Sequence, residues 1–238
     1  MRSSLMEKKE KATKHVSVAL DGPSAAGKST VAKAVAKKYN FIYVDTGAIY
    51  RTVGLAVKNA GIDPKDAAAV AALLPGLRID VAYGGDGAQV MLLNGENVSA
   101  RIRTPEISLY ASDVSTLPEV RAFLLEMQRD MARKHDVVMD GRDIGTVVLP
   151  DADVKIFMTA SAEVRAKRRC LELKEKGNET PYAEVLRDIE YRDRQDAARA
   201  AAPLKPAEDA VPVDTSGMSF EESVAAVCAV VGRKRPER

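Results

Sequence analysis

The chain has 238 residues, of which 46% are hydrophobic and 29% are charged, so it can bury a sizeable core and is not intrinsically disordered. Its 36 basic residues exceed its 34 acidic residues by only two. This balance is too small to indicate a dedicated nucleic-acid or anionic-membrane surface. Aromatic residues make up 5% and Trp is absent, which disfavours base-stacking platforms. A small-molecule site therefore fits the composition better than a nucleic-acid site.

The N-terminal residues differ in pattern from the rest of the chain. Residues 1–14 are polar and charged without periodicity and are predicted to be a disordered leader, whereas 15–238 are predicted to form the folded domain. The leader has no apolar segment typical of a signal peptide, and no later run approaches 18 apolar residues. We therefore predict no membrane association and a cytoplasmic location.

In the first half of the chain, short apolar runs alternate with helical patterns. A strand is predicted at 16–21, followed by a glycine-rich turn and a helix ending near Tyr39. A second strand at 41–45 and a helix at 45–60 come next. Two strand-like runs, 78–83 and 89–93, flank several glycines and predict a hairpin within an insertion.

The second half continues the alternation. Two helices that begin with proline are predicted at 105–115 and 118–134. Further predicted elements are strands at 136–140, 154–160 and 211–214 and helices at 161–176, 181–200 and from 219. The strands lack polar alternation, as expected where both faces of a sheet are covered. The prediction is an α/β fold with a parallel five-stranded sheet flanked by helices.

The turn after the first strand matches the pattern GxxxxGK[ST] of a P-loop in full, between a strand and a helix. Such a loop cradles a polyphosphate with its backbone N–H groups, Lys28 reaches the β- and γ-phosphates, and Ser29 ligates Mg²⁺. We therefore predict the P-loop NTPase fold with ATP and Mg²⁺ as ligands. The predicted nucleotide-binding residues are Gly22, Pro23, Ser24, Ala25, Ala26, Gly27, Lys28, Ser29 and Thr30.

Two polar motifs follow the second and third core strands. DTGAIYR at 45–51 and DGRDIGT at 140–146 are predicted at the carboxyl edge of the sheet, where open α/β sheets bind ligands. Each has a structural alternative, since DTGA could only cap a helix and DGRD could be a plain turn. Asp140 ends an apolar run in the manner of a Walker B carboxylate and is a candidate Mg²⁺ ligand with Ser29.

A third cluster is rich in arginine. Arg165, Arg168 and Arg169 share one helical face, and Arg192, Asp196 and Arg199 share another. A solvated charged face would explain this spacing. The alternative is a mobile lid whose guanidinium groups close over a transferring phosphoryl group and exclude water.

Together these residues resemble the bacterial-type cytidylate kinases, within the nucleoside monophosphate (NMP) kinases. The resemblance runs from Val16 to about Gly232 and rests on GPSAAGKST, DTGAIYR, IRTPEIS, DGRDIGTVV and RDRQDAARAAAPL. It implies a P-loop kinase domain with an NMP-binding insertion at about 62–100 and a helical lid at about 161–190. It also implies a monomer that transfers the γ-phosphoryl group of ATP to CMP or dCMP.

The resemblance also implies roles for particular residues. Ser112, Arg121 and Asp143 would read the cytosine, and Arg192 and Asp196 would contact the sugar. The acceptor phosphate would be held by three arginines with a threonine nearby, namely Arg51, Arg142, Arg199 and Thr46. The catalytic residues would be Lys28, Arg142, Arg165 and Arg169. Thr46 stands where relatives often have serine, and Ala197 and Ala198 stand where others carry charges.

Three other functions would make different demands on the sequence. A P-loop kinase for another small phosphorylated acceptor remains the alternative prediction. A GTP-binding switch would need a base-reading NKxD stretch, and none occurs in the sequence. A nucleic-acid-dependent ATPase is disfavoured by the charge balance and the scarcity of aromatic residues.

Overall fold

The computed structural model describes residues 15–85, 87–175 and 177–235, so the predicted leader lies outside the described residues. The strands are β1 (Ser17–Asp21), β2 (Ile42–Asp45), β3 (Ile79–Tyr83), β4 (Gln89–Leu93), β5 (Glu96–Asn97), β6 (Val137–Gly141), β7 (Val154–Thr159) and β8 (Val211–Asp214). The helices are α1 (Lys28–Tyr39), α2 (Thr46–Asn59), α3 (Ala67–Leu73), α4 (Pro105–Val114), α5 (Pro118–Lys134), α6 (Ala162–Glu175), α7 (Tyr182–Ala198) and α8 (Phe220–Lys234).

The central sheet has five strands in the order β2-β6-β1-β7-β8, and all neighbouring pairs are parallel. Strand β6 is buried along its whole length because helices cover both faces of the sheet. One face packs on α2, α4 and α5 through residues such as Ile49 and Leu124, and the other packs on α1 and α8 through Val35 and Val227. The predicted α/β fold with a parallel five-stranded sheet is confirmed.

The chain between α2 and α4 contains a second sheet of three strands, in the order β3-β4-β5, which packs into the same core as α2, α4 and α5. Strands β3 and β4 pair antiparallel with Ile79 opposite Leu93, which confirms the predicted hairpin. The structure adds β5 and α3, which the sequence analysis missed. Strand β5 consists of two exposed residues, and α3 buries only Val70, so neither leaves a recognisable hydrophobic period.

Helices α6 and α7 pack against each other near the P-loop, around Ala166, Val185 and Ile189. Their observed bounds differ from the predicted ones by one or two residues at each end. Among the helices of the described residues, none combines the length and apolar character needed to cross a membrane.

Candidate active site

The P-loop is shaped by a close approach to β7. A Cβ atom on Gly22, which has φ +152°, would lie 1.9 Å from the carbonyl oxygen of Met158, so only glycine fits there. Gly27 has φ +85° and precedes the first residue of α1, Lys28. The first N–H groups of a helix lack intrahelical acceptors and form an anion site. The buried Lys28 ammonium donates to the carbonyl of Pro23 at 2.8 Å, so the loop curls around its own lysine.

Two oxygen-bearing side chains predicted to hold Mg²⁺ meet at the end of β6. Ser29 Oγ donates to Asp140 Oδ2 at 2.7 Å, and the Tyr43 hydroxyl donates to Asp140 Oδ1 at 3.0 Å. Burial and the nearby Asp45 raise the pKa of Asp140. A hydroxyl beside a carboxylate is a donor set that suits Mg²⁺, which needs few protein ligands when phosphates and water supply the rest. Ser29 and Asp140 therefore fit the predicted metal role.

The motif at 45–51 serves both the structure and the site. Asp45 Oδ1 accepts from the backbone N–H of Ala48 and caps α2, which confirms the capping interpretation. Its other oxygen, Oδ2, pairs with Arg51 Nη2 at 3.0 Å. Thr46 Oγ1 donates to the carbonyl of Asp140 at 2.8 Å, which ties α2 to β6. Capping thus orients Arg51 and does not exclude a binding role for it.

An acidic residue of α7 joins two predicted phosphate ligands. Asp196 Oδ2 accepts from Arg142 Nε at 2.7 Å, and Asp196 Oδ1 accepts from Arg199 Nη2. The Nε groups of Arg199 and Arg51 are buried without a hydrogen-bond partner among the described residues. Buried donors without acceptors are costly, and an anion bound beside them would satisfy them.

Positive charge accumulates between the P-loop and α7. Burial and Arg142 lower the pKa of Lys28, whereas Asp140 acts in the opposite direction. Burial and Arg169 lower the pKa of Arg192, with Arg142 adding to the effect. Cations that depress one another's pKa in this way favour a polyanion as ligand.

Two of the three predicted base-reading residues, Arg121 and Asp143, are in direct contact, and Ser112 is connected to them through backbone carbonyls. Arg121 Nη2 pairs with Asp143 Oδ2, and both side chains are almost fully buried. Arg121 also donates to the carbonyl of Ser115 at 3.2 Å and lies over the ring of Tyr50, 5.8 Å from its centroid. Ser115 Oγ in turn donates to the carbonyl of Ser112 at 2.8 Å. The DGRD motif is therefore more than a plain turn, since its second aspartate completes an ion pair with α5.

The arginines of α6 occupy different surroundings. Arg165 is 4% exposed, donates to the carbonyl of Ser24 at 3.1 Å and pairs with Asp193 at 2.6 Å. Arg168 donates to the carbonyl of Thr215 at 2.7 Å. The solvated-face interpretation is wrong for these two residues, which pack against the P-loop and the segment after β8. Arg169, by contrast, is partly exposed and pairs with Glu172 on its own helix.

Several residues that shape the site are not among the predicted site residues. Tyr43 lies two residues before the predicted DTGAIYR motif, and Asp193 lies within the quoted motif RDRQDAARAAAPL. Gln89 of β4 bonds to both backbone groups of Asp45, accepting from its N–H at 2.7 Å and donating to its carbonyl at 3.2 Å. Asp21 accepts from two backbone N–H groups next to Asp143. Of these residues, Asp21 carried a signal as a polar residue at the end of a core strand, whereas Tyr43 lies inside β2.

The P-loop, the oxygen pair at the end of β6 and the cationic cluster at the carboxyl edge of a parallel sheet together define a P-loop phosphotransferase. The family model described as "Cytidylate kinase" matches residues 18–233. The chain belongs to the cytidylate kinase family.

Curated relatives agree with this membership. The chain is 49% identical over 209 residues to "Cytidylate kinase" of Caldicellulosiruptor saccharolyticus, covering 88% of this chain and 92% of that protein. It is 51% identical to "Cytidylate kinase" of Geobacter sp. (strain M21), covering 87% and 88% of the two chains. It is 49% identical to "Cytidylate kinase" of Carboxydothermus hydrogenoformans, covering 91% and 97%.

Proposed function

We propose that the protein is a cytidylate kinase that transfers the γ-phosphoryl group of ATP to CMP or dCMP, giving ADP and CDP or dCDP. The observation that carries this proposal is a series of charged groups along the cleft. Arg142 is linked through Asp196 to Arg199, and Arg121 pairs with Asp143. Arg142 interacts electrostatically with Lys28 of the P-loop, and Arg199 does so with Arg121 and Asp143. The kinship with proteins named cytidylate kinase supports the same assignment.

The pair of Arg121 and Asp143 suits cytosine. Cytosine offers an N4 amine, which a carboxylate accepts, and O2 and N3 acceptors, to which Arg121 or Ser112 can donate. Uracil carries O4 in place of the amine, so it would set an acceptor against Asp143. An unpaired or repelled polar group in a buried site costs about 1–3 kcal/mol, which corresponds to a preference of roughly 5- to 150-fold for CMP.

The arginine cluster suits the acceptor phosphate and sugar. Arg51, Arg142 and Arg199 supply planar guanidinium donors for the phosphate, with Thr46 nearby at the end of β2. Asp196 and Arg192 would contact the sugar. Because Asp196 already binds Arg142 and Arg199, an entering phosphate would compete with this carboxylate for them.

Transfer needs no covalent enzyme intermediate. An oxygen of the acceptor phosphate forms a bond to the γ-phosphorus while the bond to the β,γ-bridging oxygen breaks, and the electron pair of that bond leaves with ADP. Lys28 and Arg142, together with Arg165 and Arg169 of the proposed lid at about 161–190, would stabilise the charge on the transferring group. Ser29 and Asp140 would hold Mg²⁺, which when bound neutralises charge on the ATP phosphates.

We extend the proposal to the setting of the enzyme. We expect it to act as a monomer in the cytoplasm on free nucleotides, without nucleic-acid or membrane partners. The insertion at about 62–100 would cover the acceptor, and its contact with Asp45 through Gln89 supports this placement.

The test is an ADP-release assay with Mg·ATP and separate CMP, dCMP, UMP, AMP and GMP. We expect rapid turnover with CMP and dCMP and weak turnover with the other three. Lys28→Ala should abolish turnover while leaving CMP affinity, measured by calorimetry, nearly unchanged. Turnover with AMP or GMP in preference to CMP would refute the acceptor assignment, and normal turnover by Lys28→Ala would refute the role of the P-loop lysine.

A further inference from the structure

A buried carboxylate joins the P-loop to the segment that carries Asp143. Asp21 is the last residue of β1 and directly precedes Gly22, and it is 4% exposed. Its Oδ1 accepts from the N–H of Ile144 at 2.8 Å, and its Oδ2 accepts from the N–H of Gly145 at 2.7 Å. Neither bond is local, since the partners are 123 and 124 residues apart in the chain.

These two bonds hold the start of a single π-helical turn, Ile144–Val148. The carbonyl of Asp143 accepts from the N–H groups of Val147 and Val148, so Asp143 is the residue from which the turn starts. The first N–H groups of such a turn have no acceptor within it, and Asp143 itself provides no side-chain cap. Asp21 supplies the missing acceptors from another strand and thereby fixes the backbone on which Asp143 stands.

The approach of the two segments is close. A Cβ atom on Gly145 would lie 3.4 Å from Asp21 Oδ2 and 3.3 Å from Cδ of Lys155. The backbone after Asp143 thus rests directly on the carboxylate. Asp21 and Asp143 also repel each other electrostatically, and Arg121 of α5 forms an ion pair with Asp143. Asp143 is therefore oriented by a tether on its backbone and an ion pair on its side chain.

We propose that Asp21 is a positioning residue for base selection, which sets the discrimination between CMP and UMP by fixing the backbone of Asp143. This inference rests on the proposed function, because it takes Asp143 as the carboxylate that accepts from the cytosine amine. Asp21 exerts this effect through the turn at 144–148. Its charge also interacts electrostatically with Lys28 of the P-loop, so the KM for ATP is measured alongside base selection.

The substitution that isolates this role is Asp21→Asn. Asparagine has the same shape, but one carboxylate oxygen is replaced by an NH₂ group that only donates. One of the two N–H groups of the turn would then face a donor, while the strand and the P-loop keep their packing. The matched control is Asp153→Asn, because Asp153 Oδ2 accepts from the N–H of Ser17 at 3.0 Å at the opposite end of β1.

The experiment measures kcat and KM for CMP and UMP at saturating Mg·ATP, and KM for ATP at saturating CMP. For Asp21→Asn we expect the ratio of kcat/KM for CMP over UMP to fall about fivefold or more, while KM for ATP changes by less than about twofold. Asp153→Asn should keep the wild-type ratio. Gly145→Ala, whose methyl group presses on Asp21 Oδ2, should lower the ratio to a smaller extent and decides the question if Asp21→Asn does not fold.

The outcomes separate this inference from the proposed function. If the wild-type protein phosphorylates CMP and rejects UMP but Asp21→Asn keeps the full ratio, Asp21 does not position Asp143. A rise in KM for ATP with an unchanged ratio would likewise overturn the inference and assign Asp21 to the P-loop. If the wild-type protein itself fails to prefer CMP, the proposed function fails first.

Discussion

Asp196 is expected to stabilise the unliganded protein by neutralising two arginines of the acceptor site. Its carboxylate binds Arg142 through one oxygen and Arg199 through the other, and the side chains of Asp196 and Arg199 are only 7% and 8% exposed. Burial and Arg142 lower the pKa of Arg199, whereas Asp196 raises it. Replacing Asp196 by asparagine leaves two neighbouring cations without their shared counter-charge.

The cost follows from the burial of the three groups. Removing one partner of a buried ion pair costs about 3–5 kcal/mol, and the 27% exposure of Arg142 favours the lower end, about 3 kcal/mol. For a domain of this length, such a loss lowers Tm by about 6–12 °C. Asp130→Asn is the matched control, since its pair with Arg133 on α5 is exposed and its loss should leave Tm unchanged.

Inorganic phosphate distinguishes lost charge from lost packing. In Asp196→Asn, an anion bound by Arg142 and Arg199 replaces the missing carboxylate, whereas in the wild-type protein it competes with Asp196. Thermal unfolding with and without phosphate, at equal ionic strength, should therefore show a larger rise in Tm for the variant. At one hundred times Kd the bound anion contributes about 2.7 kcal/mol, enough to offset most of the loss. An equal rise in both proteins, or a wild-type Tm for the variant, would refute the reasoning.

Three further predictions concern groups that support the site. Burial raises the pKa of Asp21 to about 6 from 3.8, so its contribution to stability is full below about pH 4 and is lost as pH rises through 6. Relative to Asp21→Asn, the wild-type free energy of unfolding, measured by urea denaturation, should therefore fall by about 3 kcal/mol over this range. A parallel pH dependence of the two proteins would contradict the assignment. Gln89→Ala removes both hydrogen bonds to the Asp45 backbone, so steady-state kinetics should show a raised KM for CMP with an unchanged KM for ATP. Equal changes in both KM values would argue against a role of the insertion in binding the acceptor alone. Tyr43→Phe removes a hydrogen-bond donor that favours the ionised form of Asp140, so the Mg²⁺ concentration for half-maximal rate should rise about tenfold. An unchanged Mg²⁺ titration would indicate that Asp140 does not hold the metal.

The elements of the fold could be predicted because each carries a local signal. The P-loop pattern places a turn between β1 and α1, and the five apolar runs correspond to the five parallel strands within one or two residues. The misses have the opposite character. Helix α3 is built largely of alanine, β5 has two residues, and the π turn at Ile144–Val148 depends on acceptors supplied by Asp21 from β1. No local period can reveal a turn whose cap lies more than a hundred residues away.

The same distinction explains the site. Residue types and strand ends were enough to predict that Lys28, Ser29 and Asp140 lie at one edge of the sheet, because the carboxyl ends of parallel strands lie at the same edge. The pairings among side chains required the tertiary structure, as for Arg165, whose partner lies on α7 and whose other acceptor lies in the P-loop. Arg142 and Arg199, which are proposed to bind the acceptor phosphate, are both already paired with Asp196 in the unliganded protein. These arginines are therefore held in place before substrate arrives, and a bound phosphate competes with Asp196 for guanidinium groups that are already oriented.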